Sequence, residues 1–344
     1  MIFSMLCLLF AADKPAPLPN VYDVERQVLQ YRRSIQRGHM VFKQKTFVGG
    51  NDKPAHERVS TFWFEGDKFR SDVVIHNPVG ADPVREVSCR NCEREGHVVW
   101  YIEEKGKEGI IGLRLQKEQE ARKQGVQPVI DPRLLGMTAA SVPNFTKYHL
   151  ESYVGKHDRQ EPTVQRDRWK GKDCWQIDYR DMRGTSYRYY VDPERGPSVI
   201  YLKVSWDYQG HHYMDSVEAT LQQFGPSKIW FPQSCVYQQE MDGKLLEKEV
   251  VDVEVISLKE PLDSDTFTLV GMKIPPDTFI SGLSDPRGNL FWNGKEIVPE
   301  SELPRNKYAS SPTTRRWMLI GNTIFFAVLA VYLLWRYWRQ RKTV

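Results

Sequence analysis

Residues 167–259 alternate between strand-like segments and turn sequences, with hardly any helical pattern between them. The segments follow one another at 167–181, 185–192, 198–208, 211–224, 229–242 and 245–259. Their connections contain Met-Arg-Gly, Pro-Glu-Arg-Gly, Gln-Gly, Gly-Pro-Ser and Asp-Gly, which are typical of turns. Apolar and polar residues alternate within the segments, as at Trp175, Ile177 and Tyr179. This pattern predicts a long antiparallel sheet with one covered face, and it argues against parallel βαβ units.

Helical patterns occur at three places. Residues 21–37 place apolar side chains on one face of a helix, and Gly38 is suited to end it. Residues 117–124 form a second helical pattern. Asp131 and Pro132 predict a short helical turn with the aspartate as its N-cap.

The remaining part of the first half is strand-like. Two segments joined by Gly66-Asp67 predict a β-hairpin with a two-residue turn. Residues 261–282 are rich in turn sequences. We therefore predict one α+β domain over residues 21–298, mainly antiparallel β, with an N-terminal helix and short covering helices.

The stretch from Trp317 to Trp335 is apolar and contains no Asp, Glu, Lys, Arg or His. A helix of this length reaches about 28 Å, close to the roughly 30 Å hydrocarbon core of a bilayer. We predict one C-terminal transmembrane helix with its flanks at 315–338, preceded by a linker at 299–314 and followed by a basic tail at 339–344. The alternative is a buried helix of a soluble protein.

The N-terminus is apolar as well. Residues 1–12 resemble a signal peptide with a truncated front, followed by a Pro-rich linker at 13–20; the alternative is an uncleaved apolar segment. Four basic residues flank each side of the predicted span, so the positive-inside rule leaves the orientation open. We expect a single-pass protein of the cytoplasmic membrane with an extracytoplasmic, periplasmic domain. The alternative is a tail anchor with the domain in the cytosol.

The excess of positive charge in the chain lies beside the predicted membrane segment. The sequence has 48 Lys and Arg against 44 Asp and Glu, and six of the basic residues lie at 315–316 and 336–342, directly next to Trp317–Trp335. The rest of the chain therefore has no large basic field, and no nucleic acid is expected as a partner.

The cysteines leave several interpretations open. Cys89, Cys92, Cys174 and Cys235 are an even set that suits disulfides in an oxidising compartment, with three possible pairings, or reduced thiols. Cys89, Cys92 and His97 have the spacing of the first three ligands of a zinc knuckle, but Ile102 stands at the fourth position. We expect no metal and keep this set as the weaker alternative.

The sequence contains no catalytic motif that we can name. It has no G-x-S-x-G elbow, no H-E-x-x-H and no P-loop. His211 and His212 are adjacent in a strand, so they point to opposite faces and make a poor metal pair. We expect no enzymatic activity and no cofactor.

Three motifs carry a resemblance to a known family: FWFEGDKFRSDV at 62–73, GKDCWQIDY at 171–179 and YRYYVDPERGPSVIYLKV at 187–204. With the first helix and the long meander, they resemble hairpins of the LolA/LolB/RseB superfamily of bacterial envelope proteins, and in particular exported LolA-like proteins of the planctomycete type. The resemblance covers roughly residues 21–260. It implies a curved half-barrel sheet whose concave face is covered by helices.

The resemblance also implies a function. Members of the superfamily bind lipoprotein acyl chains or other hydrophobic ligands, or sense misplaced lipoproteins, and they are not enzymes, so no catalytic residue is implied. A C-terminal span would fix this domain at the membrane, which argues against a diffusing shuttle and for a sensor or receiving domain.

We therefore expect a non-enzymatic, membrane-anchored envelope domain that binds or senses a lipid or lipoprotein acyl chain. The alternative is an interaction or scaffold domain of the cell envelope without a small ligand, since aromatic residues make up 12% of the chain. The candidate hydrophobic wall comprises Phe62, Phe64, Val73, Ile75, Trp175, Ile177, Tyr189, Val191, Ile200, Leu202 and Val204.

Arg70 and Asn322 are candidate functional residues outside this hydrophobic wall. Arg70 is a candidate contact for a lipid headgroup. Asn322, within the predicted span, is a candidate for homodimerisation through a hydrogen bond between helices or for contact with interfacial water.

Overall fold

The computed structural model describes residues 18–76, 86–94, 97–104, 113–117, 131–138, 159–282, 286 and 288–303. Within these ranges one α-helix, α1 (Val21–Ser34), precedes sixteen strands of a single sheet. The strands are β1 (Arg37–Val48), β2 (His56–Glu65), β3 (Lys68–His76), β4 (Glu86–Arg94), β5 (His97–Glu104), β6 (Leu113–Lys117), β7 (Arg159–Trp169), β8 (Lys172–Asp181), β9 (Ser186–Asp192), β10 (Ser198–Tyr208), β11 (His211–Phe224), β12 (Ile229–Met241), β13 (Lys244–Leu258), β14 (Thr278–Ser281), β15 (Leu290–Trp292) and β16 (Ile297–Pro299). Short 3₁₀ turns occur at Pro132–Leu134 and Glu300–Glu302.

The sheet is open and mainly antiparallel. Its order is β16-β15-β14-β6-β5-β4-β3-β2-β1-β13-β12-β11-β10-β9-β8-β7, so its two edge strands are not joined in the described part of the chain. β6 and β14 pair in parallel. Two meanders, β1–β6 and β7–β13, meet where β1 pairs with β13, with Gly38 opposite Leu258. The predicted antiparallel meander is therefore confirmed.

The helix α1 has the predicted amphipathic pattern but ends earlier than expected. Asn20 is its N-cap, and the Asn20 side chain accepts a hydrogen bond from the Asp23 N–H at 2.9 Å. The helix ends at Ser34, so the prediction that Gly38 terminates it is wrong. Gly38 lies in β1 instead, where a β-carbon would come within 2.8 Å of the Phe64 ring. The glycine is needed for close packing of this ring against the strand.

Two local predictions of the first half are confirmed. β2 and β3 form a hairpin around Gly66-Asp67, with Glu65 opposite Lys68. Asp131 caps the 3₁₀ turn that starts at Pro132. The helical pattern at 117–124 falls almost entirely outside the described residues, apart from Lys117 at the end of β6.

The C-terminal part of the domain contributes more structure than its turn-rich sequence predicted. β14 adds to the sheet beside β6, and β15 and β16 follow it. Their apolar residues form a second core with Cys92, Tyr101 and Leu113 of β4–β6. The sequence does not predict these strands because two of them have only three residues, too few to show an alternating pattern.

Side chains on the helix side of the sheet form the main core, which we call the helix-facing core. Phe62 and Phe64 of β2 belong to this core, whereas Trp63 between them packs into the second core on the opposite face. It consists of Val21, Val24, Val28, Leu29, Ile35, Met40, Phe42, Phe62, Phe64, Leu134, Leu135, Met137, Ile177, Tyr189, Val191, Val199, Leu202, Val217, Ala219, Ile229, Phe231, Cys235, Tyr237, Val251, Val253 and Leu258. A third, smaller cluster around Cys174, Tyr190, Ile200 and Leu221 lies on the outer face of β8–β12.

The predicted transmembrane segment at 315–338 and the N-terminal segment at 1–12 lie outside the described residues. Among the helices that are described, none combines the length and the apolar character needed to cross a bilayer.

Candidate functional site: the covered face of the sheet

The helix α1 is fastened to the sheet near its C-terminal end by Tyr31. The Tyr31 hydroxyl accepts a hydrogen bond from the Trp230 N–H at 2.8 Å and donates one to the Trp230 carbonyl at 3.1 Å. The Tyr31 ring lies against Gly196, where a β-carbon would come within 2.1 Å of the ring. Because Gly196 has a φ of 60°, a larger residue there would be strained as well as blocked. The helix is thus held in one position over β12.

Residues 131–138, which we call the cover segment, lie over the same face. The Asp131 carboxylate accepts hydrogen bonds from the backbone N–H of Arg133 at 3.0 Å and from its Nη2 at 2.8 Å. Leu134 and Leu135 are 0% exposed and Met137 is 2% exposed. A single 3₁₀ turn is not stable by itself. The cover segment is therefore held mainly by burial of these three apolar side chains.

The cover segment contacts distant parts of the sheet. The Arg133 guanidinium lies 5.3 Å from the centroid of the Phe64 ring and 5.5 Å from that of Phe69, on β2 and β3. At its other end, the Gly136 N–H donates to the Tyr237 hydroxyl on β12 at 3.3 Å. The segment thus bridges two regions that are separated by β1 and β13 in the strand order.

The guanidinium of Arg32 in α1 is buried without a hydrogen bond to any described residue. Arg32 is 0% exposed, and none of its three guanidinium nitrogens has a hydrogen-bond partner among the described residues. The guanidinium lies 4.8 Å from the centroid of the Phe231 ring, a cation–π contact. Burial lowers the pKa of Arg32 to about 10. An unpaired charge in a protein interior is costly and is a candidate for function.

The groups around Arg32 do not neutralise it. Burial raises the pKa of Cys235 to about 12, and it raises the pKa of Tyr237 well above its ordinary value. Both side chains are therefore neutral near pH 7. The nearby Asp131 carboxylate is engaged by the Arg133 guanidinium.

Glu25 is the second charged residue on the buried face of α1, where it is 7% exposed. Its Oε1 accepts a hydrogen bond from the Tyr189 hydroxyl of β9. The interface between α1 and the sheet thus contains a carboxylate and a guanidinium two helical turns apart, which is unusual for an apolar core.

Most of the predicted wall residues lie in or against the helix-facing core. Six of them are members of this core: Phe62, Phe64, Ile177, Tyr189, Val191 and Leu202. Trp175 and Val204 pack against it as partly buried residues. The structure therefore brings eight of the eleven predicted side chains together on one surface, beneath α1 and the cover segment.

Three wall residues are placed differently. Ile200 lies in the third cluster on the outer face, because a β-bulge between Val199 and Tyr201 shifts the alternation of β10. Val73 is 4% exposed and opposite Ser60, and Ile75 is half-buried opposite Arg58. Neither Val73 nor Ile75 is part of the helix-facing core.

Arg70, the predicted headgroup contact, lies on the face opposite to the helix-facing core. Its Nε and Nη2 donate to the Asp72 carboxylate at 2.9 and 2.6 Å, and its Nη1 donates to the carbonyls of Thr266 and Gly271 at 2.9 and 2.8 Å. The guanidinium also lies 4.4 Å from the centroid of the Trp63 ring. A headgroup at the covered face would therefore not meet Arg70, whose geometry is that of a clamp on the chain around residue 270.

The described cysteines do not form a disulfide framework. Cys174 and Cys235 are buried thiols, and the Cys92 thiol lies 3.7 Å from the Phe267 carbonyl. These three residues belong to three different hydrophobic clusters. Two disulfides among the four predicted cysteines would have to join two of these three residues, so that alternative is excluded.

The zinc alternative stays a prediction, because the side chains of Cys89 and His97 lie outside those that the structure describes. The backbone of β4 runs through Cys89 and Cys92, which lie opposite Ile102 and Val99 of β5. Among the side chains that the structure describes, no group of three potential ligands is suited to a metal ion. Asn322 lies outside the described residues.

Beyond its apolar residues, the covered face of the sheet continues with the polar side chains of Asp215 and Gln239. Asp215 lies opposite Val204 of β10 and opposite Gln239 of β12. Gln239 Nε2 donates to the Asp215 carboxylate at 3.2 Å. Burial raises the pKa of Asp215 to about 6; the Gln239 bond lowers it and the neighbouring Glu247 charge raises it further.

We expect Asp215→Asn to stabilise the protein above pH 6 and to have little effect at pH 4. The pKa of this carboxyl is about 6 in the folded state and 3.8 in the unfolded state, so ionisation destabilises the folded state as the pH rises through this window. Because Asp215 is partly exposed, we expect a gain of only about 1 kcal/mol at pH 7.5. Urea denaturation at both pH values measures it, with the exposed Asp252→Asn as control. A gain that does not depend on pH would contradict this prediction.

Comparisons with known proteins give structural matches only. No family model and no curated protein matches the chain. A domain assigned to outer membrane lipoprotein sorting in Vibrio parahaemolyticus is 8% identical with a TM-score of 0.40, covering 73% of this chain and 100% of that domain. A LolA superfamily protein from Nitrosomonas europaea is 8% identical with a TM-score of 0.35, covering 73% and 98%. MucB in complex with MucA(peri) is 9% identical with a TM-score of 0.15, covering 67% and 93%.

Of these three proteins, the one from Nitrosomonas europaea is named as a member of the superfamily that the sequence motifs resemble. At these identities and TM-scores the likeness says nothing about a ligand or a partner. The functional interpretation therefore rests on the geometry of the covered face.

Sequence reasoning missed the charged residues of this face. Glu25 and Arg32 lie on the buried side of α1, at positions that its spacing makes apolar. Charged residues within an apolar stripe are the signal that identifies them. The role of Leu134, Leu135 and Met137 as a cover had no comparable signal, because the segment is short.

Proposed function

We propose that this domain is a non-enzymatic binding module that holds a hydrophobic guest, the acyl chain of a lipid or lipoprotein, against the helix-facing core. The guest replaces the cover segment on the sheet. The observation that carries the proposal is the way this segment is held, with Leu134, Leu135 and Met137 fully buried on a turn that has little structure of its own. Such a segment can leave the sheet without unfolding it.

An acyl chain is energetically able to replace these side chains. Burial of one methylene contributes about 0.8 kcal/mol, so a 16-carbon chain gains roughly 11 kcal/mol if it is fully buried. The three side chains of the cover segment lose about 1.5–3 kcal/mol each when they are exposed. The exchange therefore favours the guest over the cover segment before the entropy of binding is counted.

We also propose that the sheet is curved around its cover, as a half-barrel. Core residues of β1, β2 and β8–β13 share one cluster with α1 and the cover segment, and Phe69 of β3 packs against it. Laid flat, the strands from β3 to β8 would span about 38 Å, whereas α1 with 14 residues is about 21 Å long. A curved sheet lets so short a cover contact both ends of this strand array.

The proposal includes a place in the cell envelope. The apolar segment at 315–338 would tether the domain to the cytoplasmic membrane, with the sheet on its outer side. A tethered module of this kind receives or senses lipid, or the acyl chain of a lipoprotein, close to the bilayer.

Photolabelling tests the proposal. The full chain in phosphatidylcholine nanodiscs is irradiated with hexadecanol carrying a diazirine, and the labelled peptides are identified by mass spectrometry. We expect adducts on strands of the helix-facing core, and roughly tenfold more of them in Leu135→Ala, because a weaker cover competes less with the guest. Met182→Ala, at an exposed turn position, is the control that leaves labelling unchanged.

The contrary results are equally specific. Adducts confined to residues 315–338, or equal labelling of Leu135→Ala and the wild type, would overturn the proposal. Urea denaturation confirms that the variant is folded, and Leu134→Ala provides a second test of the same competition.

One observation favours the alternative of a protein-binding domain. Trp169 and Tyr201 stack on the outer face with ring centroids 4.2 Å apart, and both remain partly exposed. Aromatic residues in such positions often anchor a protein partner. Crosslinking in cells that depends on Trp169, without labelling of the covered face, would favour this alternative.

A further inference from the structure

Three arginines are buried among the side chains that the structure describes, and two of them have hydrogen-bond partners. Arg70 and Arg133 each donate several hydrogen bonds to a carboxylate and to backbone carbonyls. Arg32 is more deeply buried than either, at 0% exposed, and its guanidinium has no hydrogen bond to a described residue. The fold is thus able to satisfy a buried guanidinium, and it leaves this one unsatisfied.

The unpaired guanidinium lies at the border between the helix and the cover segment. It is on the buried side of α1 and rests on Phe231 of β12, and α1 contacts the 3₁₀ turn of the cover segment. Its neighbours include Asp131 at the start of the cover segment and Cys235 and Tyr237 on the sheet. A guest that replaces the cover segment therefore lies next to Arg32.

We propose that Arg32 binds the carboxylate of a single-chain fatty acid whose alkyl tail lies on the helix-facing core. This inference rests on the proposed function, because it requires the guest to replace the cover segment. It specifies the guest as an acidic amphiphile with one apolar chain. Arg32 is the residue that selects the acid over an uncharged lipid of equal length.

The chemistry of the site matches a carboxylate. The planar guanidinium presents its donors as a fork that pairs with the two oxygens of a carboxylate. A single carboxylate neutralises the charge of Arg32, whereas the alcohol or ester end of a neutral lipid leaves this charge unpaired in the interior. Tyr31 holds this end of α1 on Trp230, so the guanidinium stays in position when the cover segment leaves.

A competition experiment tests the proposal with the full chain in phosphatidylcholine nanodiscs. Diazirine-bearing hexadecanol labels the covered face, and palmitate, hexadecanol and hexadecyl phosphate are added as competitors at pH 8. We expect palmitate to compete at a concentration at least tenfold lower than hexadecanol. In Arg32→Met we expect this preference to disappear while hexadecanol competes as before.

Arg26→Met is the matched control on the same helix. Arg26 is exposed and pairs only with Asp23 among the contacts described, so this variant keeps the preference for palmitate. Arg32→Lys retains the charge without the fork, and we expect it to show an intermediate preference.

The outcomes separate the two proposals. Equal competition by palmitate and hexadecanol in the wild type, or a preference that survives in Arg32→Met, overturns the role of Arg32 and leaves the proposed function intact. Stronger competition by hexadecyl phosphate than by palmitate overturns the assignment of a carboxylate. Absence of any labelling on the covered face overturns the proposed function itself.

Discussion

Arg32→Met is expected to raise the free energy of unfolding of the ligand-free protein by about 1–3 kcal/mol, although it removes a fully buried side chain. The reason is the desolvation of a guanidinium that donates no hydrogen bond to a described residue. Burial lowers the pKa of Arg32 to about 10 in the folded protein, below its ordinary value in the unfolded chain. This penalty is therefore fully present at neutral pH and is lost only as the pH rises above about 10.

Methionine has a length similar to that of arginine and fills irregular space, so it leaves no large cavity. The lost contact with the Phe231 ring offsets part of the gain. Urea denaturation of the full chain measures the difference, and Arg26→Met, at an exposed position of the same helix, is expected to change stability by less than about 0.5 kcal/mol. A destabilisation by Arg32→Met would show that the charge is satisfied in the folded protein.

Arg70→Met is expected to lower the free energy of unfolding by about 3 kcal/mol. This substitution removes four hydrogen bonds at once and leaves the Asp72 carboxylate without its partner. It also releases the chain at Thr266 and Gly271, whose carbonyls Arg70 binds. Gly271 is packed so closely that a β-carbon would come within 1.9 Å of the Asp265 carbonyl oxygen.

The loss should be local as well as global. Hydrogen exchange of the amides between residues 262 and 274 is expected to accelerate in Arg70→Met before that of β1 or β13 changes. Arg188→Met, which breaks the exposed pair with Asp178, is the control and should cost less than about 1 kcal/mol. If Arg70→Met and Arg188→Met lower the free energy of unfolding equally, Arg70 does not hold the segment around residues 266–271.

The meander was predictable from the sequence because apolar and polar residues alternate within its strands. Trp175 and Ile177 point to one face and Cys174 to the other, as their spacing requires. The prediction failed at Ile200, because one bulge in β10 inverts the faces without leaving a mark in the alternation of residue types. It also failed at Gly38, since a glycine that ends a helix and one that accommodates an aromatic ring look alike in a sequence.

Only the apolar surface of the candidate site was predictable from the sequence; its cover and its buried charge were not. The residues Phe62, Phe64 and Leu202 follow from strand alternation, and the structure places them in one core. The pairing of β1 with β13, which brings the first meander beside the second, depends on contacts between residues 199 to 220 positions apart. The position of the cover segment and the isolation of Arg32 depend on this arrangement, so local patterns do not reveal them.

The register between β1 and β13 also fixes the order in which a newly made chain can assemble. The strand β1 has its full set of partners only after the segment up to Leu258 has left the ribosome or the export channel. Until then its outer hydrogen-bonding groups are open, and the early meander is a template for intermolecular pairing. We therefore expect the pairing of β1 with β13 to form last during folding. A chaperone is most useful before this pairing has formed.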